Sequence, residues 1–314
     1  MDCLVGYTGF VGGNLTRQHS FSGLFNSSNI DQVAGHDCDT LVVSAVPATM
    51  WLANQNPDAD RANILGLFEK LRQVRADHVV LISTIAVYRD PSRPVTEDSG
   101  DFETELAYGR HRREFETLIA DRFPSHLVLR LPALFGHNLK KNFLFDCMNP
   151  VPSFLKSEKY DGLYAAASSA DKQVIKRGFS WDEGARMWRC NRDEIAGTDT
   201  SVRLRDICED AGVTALAFTH ADSMFQFYGL SRLWDDITTA RENDLSVLNL
   251  ATRPLRAGDI YENLTGNAFP YREASKVSQD MRSRYANLWG REDGYLLGRD
   301  AILSGIRTLT GLGQ

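Results

Sequence analysis

At 314 residues the chain is long enough for a large core, and its formal net charge of −6, with no clustered basic face, excludes nucleic acid or an anionic membrane as its main partner. A 43% hydrophobic and 24% charged content is that of a soluble globular protein, and five scattered cysteines (Cys3, Cys38, Cys147, Cys190, Cys208), never paired as C-x-x-C, suggest reduced thiols with neither a disulfide framework nor a zinc site. No apolar run approaches a membrane span and Met1 leads straight into a strand without a signal-peptide pattern, so a cytoplasmic protein is expected.

The first half alternates strand and helix signals. "DCLV" predicts a strand that ends at Gly6, and "GNLTRQ" starts a helix. "GLFN" and "DTLVVSA" predict the next two strands, "PDADRANILGLFEKLRQVRA" a long amphipathic helix, and "HVVLISTIAVY" a buried strand. "ETELAYGRHRREFETLIADRF" is helical, with Leu106, Phe115, Leu118 and Ile119 as its apolar stripe, and "HLVLRLPALF" returns to strand. Buried strands alternating with helices define an α/β fold, a Rossmann-like doubly wound parallel sheet. After Phe135 the rhythm breaks, with a turn and helix in "FGHNLKKNFLFDCMNP" and a mixed stretch to about Asn191. The expected division is a doubly wound sheet domain over 1–150 and a smaller, mixed α/β C-terminal lobe over 151–314, interleaved with returns to the sheet around 222–252. The amphipathic tail helix in "RDAILSGIRTL" is expected to cover the smaller lobe. Trp181 and Trp188, with Arg186, Arg189 and Arg192, read as core between the lobes in preference to a pocket for an anionic ligand.

"LVGYTGFVGGNL" places Gly6, Gly9 and Gly12 directly after a strand and at the opening of a helix. A tight turn needs the first glycine, close approach of a pyrophosphate the second, and helix-on-strand packing the third. The helix start adds free N–H groups and a positive dipole end. At the end of the second strand, where a carboxylate would bond the ribose of NAD, stand Asn26, Ser27 and Ser28, with Arg17 nearby. Neutral donors do not repel a 2′-phosphate, which leans the cofactor to NADP over NAD; the other reading makes Asn26 to Asn29 a turn and helix cap.

The chain resembles the extended short-chain dehydrogenase/reductase family, the NAD(P)-dependent epimerases, dehydratases and reductases that act largely on nucleotide sugars. The resemblance rests on the glycine loop, "PDADRANI" with Asn63, "LISTIAVY" with Thr84 four residues before Tyr88, "PVTED", the Tyr108 helix, "LRLPALFG" and "SRLWDDI", in family order from residue 2 to about 252. It implies a hydrogen bond from Thr84 to a substrate oxygen, proton exchange by Tyr108, and a cation four residues on. That cation is Arg112 where the family has lysine. A cation beside the phenol favours tyrosinate, whose unperturbed pKa near 10 makes it a poor base at neutral pH. The other reading of Arg112 pairs it with Glu116 one turn on. His111 reads as a surface histidine.

The resemblance further implies cofactor contacts from Gly6, Thr8, Gly9, Phe10, Val11, Gly12, Asn26, Ser27, Ser28, Ala45, Val46, Pro47, Asn63, Ser83, Tyr108, Arg112, Leu131 and Pro132. Substrate contacts would come from Thr84, Ala86, Tyr88, Lys140, Asn142 and Arg232, with no metal. Ala133 stands where many nucleotide-sugar members have Asn, and Ala86 where the 4,6-dehydratases have an acid, so elimination is not expected. The activity implied is an NAD(P)-dependent oxidoreductase or epimerase on a carbohydrate-like, small-molecule hydroxyl or ketone, possibly nucleotide-linked, with a homodimer left open. The rival readings are a non-catalytic NAD(P)-binding sensor and a purely structural partner protein.

Overall fold

The computed structural model describes residues 1–311. The chain begins β1 (Asp2–Val5), α1 (Phe10–Leu15), β2 (Gly23–Phe25), β3 (Asp37–Val43), α2 (Met50–Gln55), α3 (Pro57–Leu71), β4 (Arg75–Thr84), α4 (Ala107–Arg122), β5 (His126–Leu131) and β6 (Ala133–Phe135). It continues through α5 (Phe143–Met148), β7 (Phe154–Leu155), α6 (Ser157–Ala166), α7 (Ser169–Gly178), β8 (Phe179–Asp182), β9 (Met187–Cys190), α8 (Arg192–Ile195) and α9 (Asp199–Asp210). The last elements are β10 (Met224–Phe225), β11 (Phe227–Gly229), α10 (Leu233–Glu242), β12 (Val247–Asn249), β13 (Leu255–Arg256), α11 (Ala257–Thr265) and α12 (Arg299–Thr310).

Two compact units emerge among the described residues, one comprising 1–139, 224–255 and 277–311, the other 140–223 and 256–276. In the first, six strands pair in the order β12-β5-β4-β3-β1-β2, every pairing parallel. Alternation along the strands sorts the core by face. Leu4, Val42, Val80, Leu127 and Leu129 point to one side with Ile237 and Leu248. Val5, Leu41, Val43, Val79, Leu81 and Val128 point to the other, against Ile64 and Leu71 of α3 and Phe115 and Ile119 of α4. Burial on both faces is why these strands read as near-continuous apolar runs.

The strand expected over "HVVLISTIAVY" stops at Thr84, because the Thr84 hydroxyl accepts from the Ala86 N–H at 3.2 Å and closes a 3₁₀ turn over Ile85–Val87. α3 opens with Pro57 at its first turn beside Asp58 and Asp60 and carries Lys70 in its last, the arrangement a helix dipole favours. The tail departs from expectation: α12 lies against β11 and belongs to the sheet-bearing unit, where Ile302, Leu303 and Ile306 are buried. An apolar stripe requires a partner but does not say which one.

The second unit has a three-stranded antiparallel sheet, β7-β9-β8, and its own core of Tyr160, Leu163, Ile175, Phe179, Leu204 and Ile207. Trp188 stacks on Tyr160 at 3.8 Å between ring centroids and packs against this core, and Trp181 meets Trp188 edge-on with 40% of its surface exposed. Arg186 occupies the β8–β9 turn with φ +52°, and Arg192 donates to the Val151 carbonyl at 2.7 Å. These residues are thus part of one unit's own architecture.

Candidate active site

The strand order reverses between β1 and β3, and the glycine loop fills the crevice at their carboxyl ends. Gly6 has φ +94° and donates to the Phe25 carbonyl at 2.7 Å, and a Cβ there would lie 2.7 Å from the Ser44 carbonyl carbon. A Cβ on Gly12 would overlap the Gly6 carbonyl oxygen, so the third glycine lets α1 close onto the turn. At Gly9, which precedes the helix with extended backbone, a Cβ would meet only the Gly6 oxygen at 3.3 Å. Thr8 and Gly9 are exposed, while Phe10 and Val11 are partly buried against the core. The bare backbone before a helix start fits the pyrophosphate of a dinucleotide.

Past β2, Asn26 Oδ1 accepts from the N–H and hydroxyl of Ser28 at 2.9 and 2.6 Å, and Asn29 Oδ1 accepts from the Asn26 N–H at 2.7 Å. The stretch is therefore a self-capped turn. Ser27, Ser28 and Arg17 remain exposed.

Three elements converge on Tyr108 and Arg112. The Tyr108 N–H, left free at the start of α4, donates to Asn54 Oδ1 of α2 at 2.9 Å. A Cβ on Gly109 would overlap the Ala86 carbonyl oxygen, so this glycine lets the helix press onto the turn after β4. Tyr108 is thereby brought near enough to the Thr84 side chain for that hydroxyl to act on its phenol. Burial raises the Tyr108 phenol above its ordinary range, opposed by Arg112 and Thr84.

Arg112 is 5% exposed and turns away from Glu116. Its Nη1 donates to Asp60 Oδ2 at 2.6 Å and to the Tyr108 carbonyl at 3.2 Å, its Nη2 donates to the Pro47 carbonyl at 2.6 Å, and the guanidinium lies 3.8 Å from the Tyr108 ring centroid. The pairing of Arg112 with Glu116 is thus replaced by one with Asp60. His111 is buried, its Nδ1 2.8 Å from the same Asp60 oxygen, and so is not a surface residue. Burial opposes ionisation of Asp60, but hydrogen bonds from Arg112 and His111 outweigh it and hold the carboxyl below its usual range.

Asn63, expected at the cofactor, is exposed on α3; one turn earlier, Asp60 turns inward. Ala45 and Val46 lead into Pro47 in the loop that Arg112 ties down, and Leu131 and Pro132 are buried at the end of β5, where Leu131 pairs with Thr84. Ser83 is drawn elsewhere, to Glu116 Oε1 at 2.5 Å. Glu116 also receives Arg130 through Nε at 3.0 Å and Nη2 at 2.7 Å, and Arg130 Nη1 donates to the Tyr88 hydroxyl at 2.8 Å.

Tyr88, expected at the substrate, is 1% exposed, with its hydroxyl also 2.9 Å from the Thr96 carbonyl and 3.0 Å from Asn249 Oδ1. It belongs to a buried polar network and not to a surface that a substrate reaches. Arg232, expected to contact substrate, is engaged by Asp236 at 2.8 and 2.9 Å, a carboxylate that also accepts from Tyr228 and Trp289. In the second unit, the Asn142 side chain caps α5 through Leu144 and Phe145, and Lys140 is exposed. Among the described residues no group of three or more metal-ligating side chains occurs, and no helix is long and apolar enough to cross a membrane.

No family model matches the sequence, and no curated protein does. The fold is nevertheless that of NAD(P)-dependent nucleotide-sugar reductases and epimerases, a doubly wound α/β fold as expected. A dTDP-4-dehydrorhamnose reductase from Bacillus anthracis str. Ames, in complex with NADP, is similar with a TM-score of 0.61 at 12% identity over 98% of this chain and 96% of that one. MoeE5 in complex with UDP-glucose and NAD is similar with a TM-score of 0.60 at 14% identity, covering 99% and 97%. A UDP-N-acetylglucosamine 4-epimerase from Bacillus cereus gives 0.57 at 14% identity, covering 99% and 98%.

Proposed function

We propose that the chain is an NAD(P)-dependent oxidoreductase or epimerase acting on a carbohydrate-like hydroxyl or ketone, with nucleotide-linked sugars as its substrate class and the cytoplasm as its compartment. The convergence of Thr84, Tyr108 and Arg112 at the same carboxyl end of the sheet as the glycine cradle carries this reading. Similar folds bind NADP, NAD and UDP-glucose, which supports both the cofactor and the substrate class. The dinucleotide, when bound, supplies or accepts the hydride. Gly6, Gly9 and Gly12 would hold its pyrophosphate, and the absence of a carboxylate at Asn26, Ser27 and Ser28 favours the 2′-phosphate of NADP.

In the reductive direction Thr84 orients the carbonyl oxygen and Tyr108 passes it the phenolic proton as hydride reaches the carbon. Solvent then returns a proton to the tyrosinate. Burial keeps this phenol protonated, so the proton is present when the reductive step consumes it, and the opposing pull of Arg112 is what eases its release. The test is Tyr108→Phe, assayed by NADPH oxidation against keto sugars and nucleotide-linked keto sugars, beside cofactor affinity by calorimetry. Turnover should fall at least about 100-fold with affinity unchanged. A Tyr108→Phe chain as fast as wild type ends the proposal, and an inert wild type that binds cofactor tightly favours a non-catalytic binder.

A further inference from the structure

We propose that Asp60 is a positioning residue for Tyr108, holding the Arg112 guanidinium against the tyrosine ring and offsetting its charge there. This inference rests on the assignment of Tyr108 as proton donor, and its geometry stands independently of any substrate. The Asp60 and Arg112 side chains are 7% and 5% exposed and 2.6 Å apart, so little water screens their interaction. Arg112 is pinned on two further sides, by the carbonyls of Pro47 and Tyr108, and cannot swing to follow charge elsewhere.

Every element packed around the phenol contributes to its electrostatics. Thr84 acts on it from the end of β4, Arg112 lies on its ring from α4, and Asp60 holds Arg112 from α3. His111 shares the Asp60 oxygen and is itself approached by Arg110 at 3.4 Å. Asn54 from α2 is neutral and bonds only the Tyr108 backbone. Burial is the main influence holding the phenol protonated; beside it two charges oppose each other, Arg112 favouring tyrosinate and Asp60 disfavouring it. A lone cation at this point would do what a catalytic helix needs for base chemistry; a cation paired with a buried carboxylate does much less.

The experiment follows tyrosinate absorbance against pH, without cofactor or substrate, taking as the Tyr108 signal the difference between each chain and its Tyr108→Phe counterpart. In Asp60→Asn, which keeps an acceptor oxygen for Arg112 but loses the charge, the Tyr108 signal should move to lower pH. In Asp60→Asn/Arg112→Gln, with both charges removed and a neutral hydrogen-bonded pair left, it should return toward the wild-type position. Asp60→Glu, which restores the carboxylate, should also titrate near wild type. An unshifted signal in Asp60→Asn overturns the proposal. If that variant does not fold by circular dichroism, the double variant decides: a signal displaced far from wild type overturns it. Because no turnover is measured, this result is separable from failure of the proposed activity, which Tyr108→Phe kinetics reports.

Discussion

Removing Arg130 should expose how strongly the buried network holds α4 to the sheet. Arg130 and Glu116 are 2% and 1% exposed and meet through two parallel hydrogen bonds of 3.0 and 2.7 Å. Burial opposes the charge on Arg130, yet Glu116 outweighs it and raises the guanidinium above its ordinary value. Arg130→Met fills much of the volume but leaves Glu116 with only Ser83 and the half-buried Arg113 as partners. Orphaning one member of a buried pair costs about 3–5 kcal/mol, and the two surviving partners place this site toward the low end, about 3 kcal/mol. Glu116→Gln/Arg130→Met leaves no buried orphaned charge, only the half-exposed Arg113, which water solvates, and should recover about 1–2 kcal/mol relative to the single variant. Urea unfolding at neutral pH, followed by far-ultraviolet circular dichroism, measures both through the midpoint and slope. An Arg130→Met chain within about 1 kcal/mol of wild type, or a double variant less stable than the single, would refute the reasoning.

Two further outcomes are expected. Gly9→Val should abolish NADPH binding by calorimetry with the circular dichroism spectrum unchanged, because only the Gly6 oxygen stands near the added Cβ; unchanged affinity would remove the cradle from the cofactor site. In the second unit, burial raises the Asp146 carboxyl from 3.8 to about 6, so between those values the folded chain holds a proton that the unfolded chain releases. Stability should therefore decline as pH rises from about 4 to 6 and stay low above, and Asp146→Asn should flatten that decline and gain on the order of 2–3 kcal/mol at pH 7 in urea titrations.

The sheet was legible because its strands carry apolar runs that only burial on two sides explains, and the glycine loop because each of its glycines answers a separate steric demand. The partners of Arg112 were not legible. Glu116 lies one turn away along the helix, and local spacing favours it, but tertiary packing delivers Asp60 from α3 and sends Glu116 to Arg130 on the strand beneath. Asn63 and Asp60 sit three residues apart on α3, and a weak amphipathic pattern could not say which faces inward. Gly109 carried a signal that passed unused: a glycine in the first turn of a helix is costly unless another backbone must come close. The placement of α12 was illegible for a different reason, since an amphipathic stripe is indifferent to which apolar surface receives it.

The parallel sheet contains a delay in time. β5 has no neighbour on its outer side until β12 arrives, and the intervening chain contains most of the second unit. About 115 residues separate the end of β5 from the start of β12, so synthesis at about 5–20 residues per second leaves an unpaired apolar edge for roughly 6–23 seconds. An edge of that kind invites pairing with another chain. A ribosome-bound fragment ending before Val247 should consequently depend on chaperones in a way that the finished chain does not. A circular permutant that brings the segment around β12 ahead of the insertion would shorten the wait without altering the final fold.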